Sequence, residues 1–590
     1  MKTNRKNDYV VKTVYRSFVL VSVLSALTAT AGMLIDNIIV GQFLGAEALG
    51  AMGVISPISL IFSAFSNICS GGGTAKAAQA IGKGDREAVC NIFTITIIFV
   101  FVGGGILTVV GLLFAPQIAL MLGAQGALHE LATDYLRGFF LSAIPTILMT
   151  ALMGFIKIDG SPNLPMASIL TMTSGNIILD IFMVQVLHMG MFGMALATTL
   201  SYCLAVGVGC LHFCKKCNTL KLIKPKNFAK EFTAVIITGS PTAVSRICDT
   251  IKVMVLNNML VTVVGVAAVT ALNVRSQVNN IVGALIIGVG QAIIPIAGMF
   301  YGEEDPTALR DTMKSTLKMG IIGSVAGALV LCVFPELFPR LLGIEDAATM
   351  KMAVEGIILF AVSMPFVAVN TIFKNFYQST EKPGIATVVC VLQSLVFTTL
   401  AAVVLIKPFG SMGVWVAFLI GEILTLLVII VWVAWKKKKL PMTLEEYMML
   451  PESLGGDEAN RLDLSVGNDM KEVMEISSGI YKFGRGKEID EHVLNQMSLC
   501  IEEMAGNIVQ HAFKSGEKRW LDMVVVNKKD TILIQMRDNG KLFDPVNYYK
   551  EQIQENPEEH IGIRMIQSIA QRFEYRRSIG LNNLVIELKK

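Results

Sequence analysis

Residues able to do chemistry fall into three groups along this 590-residue chain. Asp36 lies in the outer part of one apolar stretch, and Asp180 lies at similar depth in another, with Asn176 one helical turn before it. An ionisable group held inside lipid costs roughly 2.5–3.5 kcal/mol on insertion scales, which makes each a functional candidate. These oxygens can form a small site for a proton or a sodium ion. In the second group, Arg246, Asp249 and Lys252 recur every three residues along another apolar stretch, and Arg275 lies inside the next. If all four face one cavity, its wall is net positive and suits an anionic or zwitterionic substrate better than a drug cation. The alternative is an internal ion pair with snorkelling stems. The third group is C-terminal. Glu503, Asn507 and His511 stand at i, i+4 and i+8, on one helix face, where a carboxylate and an amide oxygen can orient a hydroxyl and hold a magnesium ion. Arg537-Asp538-Asn539-Gly540 ends a strand, where a carboxylate can accept a hydrogen bond from an exocyclic amine. Ile561-Gly562-Ile563-Arg564 opens a helix whose amides can take phosphate.

The elements that position the first two groups are membrane-like. With 53% apolar and 16% charged residues and mean hydropathy +0.59, the chain is too apolar for a soluble enzyme. Stretches long enough to cross a bilayer core of ~30 Å lie near 16–40, 51–73, 90–114, 133–156, 164–187 and 191–213. Six more lie near 233–260, 267–298, 312–338, 353–376, 384–406 and 412–435. The first could pass for a signal peptide, but it is long, lacks a small-residue cleavage site and belongs to a repeat. Shifted by 220 residues, the region meets itself: Gly45, Gly82, Asp85, Ala88, Pro145 and Gly190 fall on Gly265, Gly302, Asp305, Ala308, Pro365 and Gly410. The expectation is twelve spans as two six-helix repeats, 1–220 and 221–439, with a substrate cavity at their interface and rocking of one half on the other. Lys and Arg crowd alternate connections, so both termini are expected to be cytoplasmic. Ten cysteines, mostly inside spans, show no disulfide framework. Cys214-Lys-Lys-Cys217 lacks the second pair that a structural zinc site needs.

After the linker 440–460, which carries Pro441, Pro451 and Gly455-Gly456, a soluble α+β two-layer domain is expected over 461–590. Its order reads strand, helix, long helix near 488–513, strands near 520–527 and 531–537, a helix near 561–573 and a closing hairpin. The three C-terminal motifs, in this order and with Gly580-Leu-Asn-Asn-Leu, resemble the GHKL (Bergerat-type) ATPase superfamily, closest to the anti-sigma-factor serine kinases. The resemblance implies ATP and Mg2+ as cofactors, Glu503 as catalytic base, Asn507 as magnesium ligand, Asp538 with Gly540 at adenine, and Gly562 and Arg564 by the phosphates. The phosphate loop, a single Gly562 after His560 and Ile561, is poorer in glycine than in many relatives. No two-helix segment bearing an acceptor histidine precedes the domain. A separate phosphoacceptor protein, resembling a STAS-like antagonist, is therefore favoured over autophosphorylation.

Gly32-Met-Leu-Ile-Asp36-Asn-Ile-Ile-Val-Gly41, Gly82-Lys-Gly-Asp85, Asn176-x-x-x-Asp180 and the two six-span halves resemble the multidrug and toxic compound extrusion (MATE) family over residues 10–435. The resemblance implies a bacterial cell-membrane antiporter driven by H+ or Na+ that exports small organic compounds, with its coupling site at Asp36, Asn176 and Asp180. The first span contains no proline, so a mechanism that bends it at one is not carried over. The leading expectation is a secondary exporter with a cytoplasmic ATP-binding, kinase-like tail, its partners the bilayer, a small organic substrate and a phosphoacceptor, without nucleic acid. The alternatives are a membrane sensor that controls the kinase output and, with no Walker loop, an ATP-driven pump.

Overall fold

The protein is described here by a computed structural model covering residues 9–215, 218–342, 344–455, 460–513, 519–547 and 561–590. Cys217 and His560 lie outside the described residues, as does Gly456 of the linker. The chain divides into two compact units: Phe18–Gly302 with Met313–Met449, and Met1–Ser17 with Glu303–Thr312 and Leu450–Lys590.

The larger unit is all helical. Among the described residues, nine helices are long and apolar enough to cross a membrane, and the pair Leu128–Leu141 and Ala143–Ile158, bent by 44°, makes ten. Twelve were expected, and the difference has two sources. The helix Phe228–Val263 carries Arg246, Asp249 and Lys252, which lower its hydropathy. The run Pro383–Lys437 counts once, although Gly410 interrupts it at φ 58° and ψ −134°. Side chains such as Leu113, Leu329 and Val404 stay exposed along these helices, as a lipid-facing surface requires.

The repeat has a physical basis at its turns. Gly45 and Gly265, and likewise Gly190 and Gly410, all adopt positive φ, which glycine enters without steric cost. Asp85 caps a helix by accepting from the Ala88 amide at 2.9 Å, and Asp305 accepts from the Ala308 amide at 3.0 Å. Charge breaks the symmetry. Lys83-Gly84 becomes Glu303-Glu304, and Glu304 holds φ 55° where its counterpart Gly84 has φ 78°. A non-glycine residue there stores strain on the order of 1 kcal/mol.

The smaller unit is built on a five-stranded antiparallel sheet, β1 (Arg461–Gly467), β2 (Trp520–Asn527), β3 (Thr531–Asp538), β4 (Ala570–Ser578) and β5 (Leu581–Lys589), ordered β1-β2-β3-β5-β4. Helices Met470–Arg485 and Glu491–Asn507 begin at Asp469 and Asp490, whose side chains accept from backbone amides. The helix expected near 561–573 ends at Ile569, because Ala570 already pairs with Leu588 in the β4–β5 ladder. Alternation along β3 sends Ile532, Ile534 and Met536 into the apolar core with Met497, Ile501 and Met504, and Gln535 and Arg537 to the opposite face.

That opposite face is buried too, yet polar. Arg461 pairs with Asp305 at 2.6 Å and with Asp463 at 2.9 Å. Arg537 pairs with Glu303 at 2.9 Å and with Asp305 at 2.6 Å. Thr307 donates to Asp463 at 2.7 Å, and Arg461 also reaches the Glu304 carbonyl at 3.3 Å. Burial pushes the Glu303 carboxyl above its ordinary range, and Arg537 pulls it back. Removing one partner of such a cluster strands the others. Arg537→Ala is expected to lower the opening free energy of β2 and β3 by about 3–5 kcal/mol, read by hydrogen exchange on the full-length protein in detergent. Unchanged protection would show that the acidic segment contributes nothing to the sheet.

Candidate functional site

Three sites emerge when the side chains are placed. In the first repeat, Asp36 ends the helix Tyr9–Ile39 and Asp180 ends the helix Leu164–Ile181, and each helix runs on into a π-helical turn, Val40–Leu44 and Phe182–Val186. Such turns widen a helix locally and recur at functional sites. The two helices meet where a side-chain carbon on Gly32 would come within 3.1 Å of Thr173. Asp180 is fully buried and accepts from Asn176 Nδ2 at 2.7 Å. The Asp36 carboxyl group lies close enough to that of Asp180 for the two to interact directly, so the structure brings all three residues together. One oxygen of each carboxyl group, Asp36 Oδ1 and Asp180 Oδ1, is buried without a hydrogen-bond partner among the described residues. Tyr135 lies near both Asp36 and Asp180, and Tyr202 near Asp36. Neither tyrosine was legible in the sequence, since tyrosines in spans pass for interfacial anchors.

The second site is a cavity of about 290 Å³ bounded by helices of both repeats, with Arg246 and Asp249 in its wall. Lys252 and Arg275 are not among its lining residues. Lys252 pairs with Asp249 at 2.8 Å, and Arg275 lies 3.6 Å over the Phe418 ring, a cation–π contact that holds a guanidinium in an apolar setting. Lys157 and Lys374 line the cavity instead. Neither lysine was legible in the sequence as a cavity residue.

The third site is in the tail. Asn507, His511 and Asp538 border one cleft, with Met504, Ile508 and Leu584 as apolar wall. Helix Glu491–Asn507 ends in a π-helical turn, Ile508–Ala512, and His511 still shares the cleft with Asn507. Glu503 is not a lining residue; its carboxylate lies against Gly562, where an added side-chain carbon would sit 1.9 Å from Glu503 Oε2. Asp538 accepts from the Gly540 amide at 2.7 Å and from Asn582 Nδ2 at 2.9 Å. Gly540 is required by a close approach, since a side chain there would meet the Ala512 carbonyl at 2.6 Å. Arg564 opens the helix Ile561–Ile569 beside Gly562.

With these geometries in hand, the comparisons decide the family. The MatE family model matches residues 22–182 and 241–404, more than half of the chain. The chain belongs to the MatE family. A second model, the histidine kinase-like ATPase domain, matches residues 468–588 of this MatE protein and implies ATP binding there. Multidrug export protein MepA of Staphylococcus haemolyticus is 26% identical over 392 residues, 65% of this chain and 84% of that protein. MepA of Staphylococcus saprophyticus is 25% identical over 407 residues, 68% and 88% respectively. Among solved structures, an outward-facing multidrug resistance MATE family transporter of the MOP superfamily aligns with TM-score 0.69 and 20% identity, over 73% of this chain and 96% of its own. A MOP superfamily transporter from Pyrococcus furiosus aligns with TM-score 0.68 and 20% identity, over 74% and 97%. At those identities the likeness is one of fold.

Burial raises the Asp538 carboxyl above its ordinary range, while Asn582 and Gly540 pull it down. A carboxyl with a higher pKa folded than unfolded gives stability that is complete below its unfolded pKa and is lost as pH rises through the folded value. Asp538→Asn keeps an oxygen acceptor for Gly540 and removes the titration. The variant is expected to lose less tail stability than the wild type as pH rises above the ordinary aspartate value of about 4, measured by thermal unfolding across pH. Parallel profiles would remove Asp538 as the titrating group.

Proposed function

We propose that this protein is an antiporter, driven by a proton or sodium gradient, that exports small organic compounds and carries a cytoplasmic ATP-binding regulatory tail. The observation that carries the transport reading is the buried contact of Asp36 with Asp180, braced by Asn176. Two carboxylates in contact repel unless a proton or cation lies between them. Loading therefore favours the closed pair, and unloading favours a geometry that separates them, so the ion's electrochemical gradient can bias two arrangements of the first bundle. The names of the curated relatives, multidrug export proteins, support export. The lysine- and arginine-rich connections support cytoplasmic termini and a cytoplasmic tail.

In the tail, Asp538 and Gly540 would hold the adenine, Gly562 and Arg564 would border the phosphates, and Asn507 would ligate magnesium. Bound ATP supplies a transferable phosphoryl group. Glu503, with no hydrogen bond among the described residues, is free to take the proton of an incoming serine or threonine hydroxyl on a separate phosphoacceptor protein.

The deciding experiment is uptake of a fluorescent dye into inverted vesicles under an imposed ion gradient without ATP. Asp36→Asn is expected to abolish gradient-driven transport while the protein still folds and inserts; wild-type rates in a well-expressed variant would sink the coupling assignment. For the tail, Asn507→Ala is expected to remove magnesium-dependent ATP binding by the full-length protein. Glu503→Ala should spare binding and stop phosphoryl transfer. If calorimetry detects no nucleotide binding up to millimolar concentration, the tail is an interaction module.

A further inference from the structure

The central cavity carries an excess of positive charge that neither repeat provides alone. Lys157 comes from the first repeat, and Arg246 and Lys374 come from the second. Against these three cations stands one carboxylate, Asp249, which leaves two positive charges; Asp249 is moreover engaged by Lys252 at 2.8 Å. Lys157 donates to Ser22 Oγ at 3.2 Å, a neutral partner. Among the described residues, none of the three cations has an ion-pair partner within 4 Å; the nearest electrostatic match is Glu422, which acts on Lys374 from outside the cavity wall. Unmatched cations held between apolar helices are costly, and in the membrane such groups mark substrate or ion pathways.

The rest of the wall sharpens the chemistry. Hydroxyl and amide side chains predominate, and among the described residues no aromatic ring lines the cavity, whereas rings are what an organic cation is held by. Thr74, which lines the cavity, is 5% exposed, and its hydroxyl has no hydrogen-bond partner among the described residues. Gly154 across from it leaves room, since a side chain there would come within 2.2 Å of that hydroxyl. A buried hydroxyl without a partner is a ready donor for an acceptor-rich ligand.

Resting on the exporter reading, we infer that this cavity takes a small, hydrophilic organic anion, a soluble carboxylate or phosphate ester that also bears hydroxyl groups, rather than a lipophilic cation. Lys157, Arg246 and Lys374 converge on its charge, and Thr74 takes one of its acceptors. Placing the cations on both repeats means that ligand charge draws the two halves together, and release requires that they part.

The test uses full-length protein in phosphatidylcholine nanodiscs, titrated with citrate, glucose 6-phosphate and ethidium. Saturable binding of at least one of the two anions, tighter than that of ethidium and weakening as salt is raised, is the expected result. Arg246→Gln combined with Lys374→Gln should weaken anion binding at least tenfold, and Lys374→Arg should retain it, which separates lost charge from a misfolded protein. Saturable ethidium binding with none for either anion, or anion binding unchanged in the doubly neutralised protein, overturns the inference. Doping the discs with phosphatidylglycerol distinguishes the source: unaffected citrate binding supports a soluble anion, and competitive loss assigns the site to a lipid headgroup and overturns that source. Gradient-driven ethidium export without anion binding would leave the exporter reading standing and remove this one. Anion binding without gradient-driven movement of any compound would do the reverse.

Discussion

A charge withdrawn from water has to be matched, and this constraint organises both units of the molecule. In the first repeat, Asp180 takes a hydrogen bond from Asn176. In the second, Glu422 takes hydrogen bonds from Asn370 at 2.8 Å and Gln393 at 2.9 Å. Asp159 accepts from the buried ring of His212 at 2.8 Å and from the Thr219 amide at 2.9 Å, which closes the end of the helix Gly190–Cys210. In the smaller unit, two arginines on the polar face of the sheet meet three carboxylates. The exceptions then stand out. Among the described residues the cavity cations have no ion-pair partner within 4 Å, and a charge without a close counter-charge is the kind of local inconsistency expected where a ligand supplies the match.

Duplication supplied the scaffold, and divergence of charge supplied the sites. Glycines at the turns and aspartates at the helix starts persist across the 220-residue shift because backbone geometry demands them in both copies. The chemistry does not persist. Asp36 corresponds to Leu256 and Tyr202 to Glu422, so the two repeats carry these acids on different helices. Asp305 shows how a conserved structural role is extended: it caps its helix as Asp85 does and in addition holds Arg461 and Arg537. The unfavourable φ of Glu304 is the local cost of that extension.

What the sequence made legible follows from this division. Apolar runs, repeat register and the motifs around Glu503, Asp538 and Gly562 are local signals, and each led to its element. The closeness of Asp36 to Asp180 was foreseeable because both lie at similar depth in their spans. The partners of the other charges were not. Lys157 and Lys374 reach the cavity from helices more than two hundred residues apart in sequence, and no periodicity records that convergence. The polar face of the sheet was equally hidden, because Asp463, Asp522, Gln535 and Asn583 read as ordinary solvent-facing strand residues until the burial of that face is seen. Arg275 misled for the opposite reason, since a charge in a span suggests a cavity while this one is settled on an aromatic ring.

Strand β3 draws these threads together. Its alternation places Arg537 on the face held by the acidic segment and Asp538, the next residue, on the face that carries the nucleotide-like cleft. Side-chain period in a strand is two, so a slip of one residue would exchange them, burying Asp538 among carboxylates and presenting a guanidinium to the cleft. Eight paired residues with β5, Thr531 to Asp538, resist that slip. The ion pairs of Arg537 and the hydrogen bonds of Asp538 therefore fix the same register from opposite sides, and the geometry of the cleft depends on contacts made behind it.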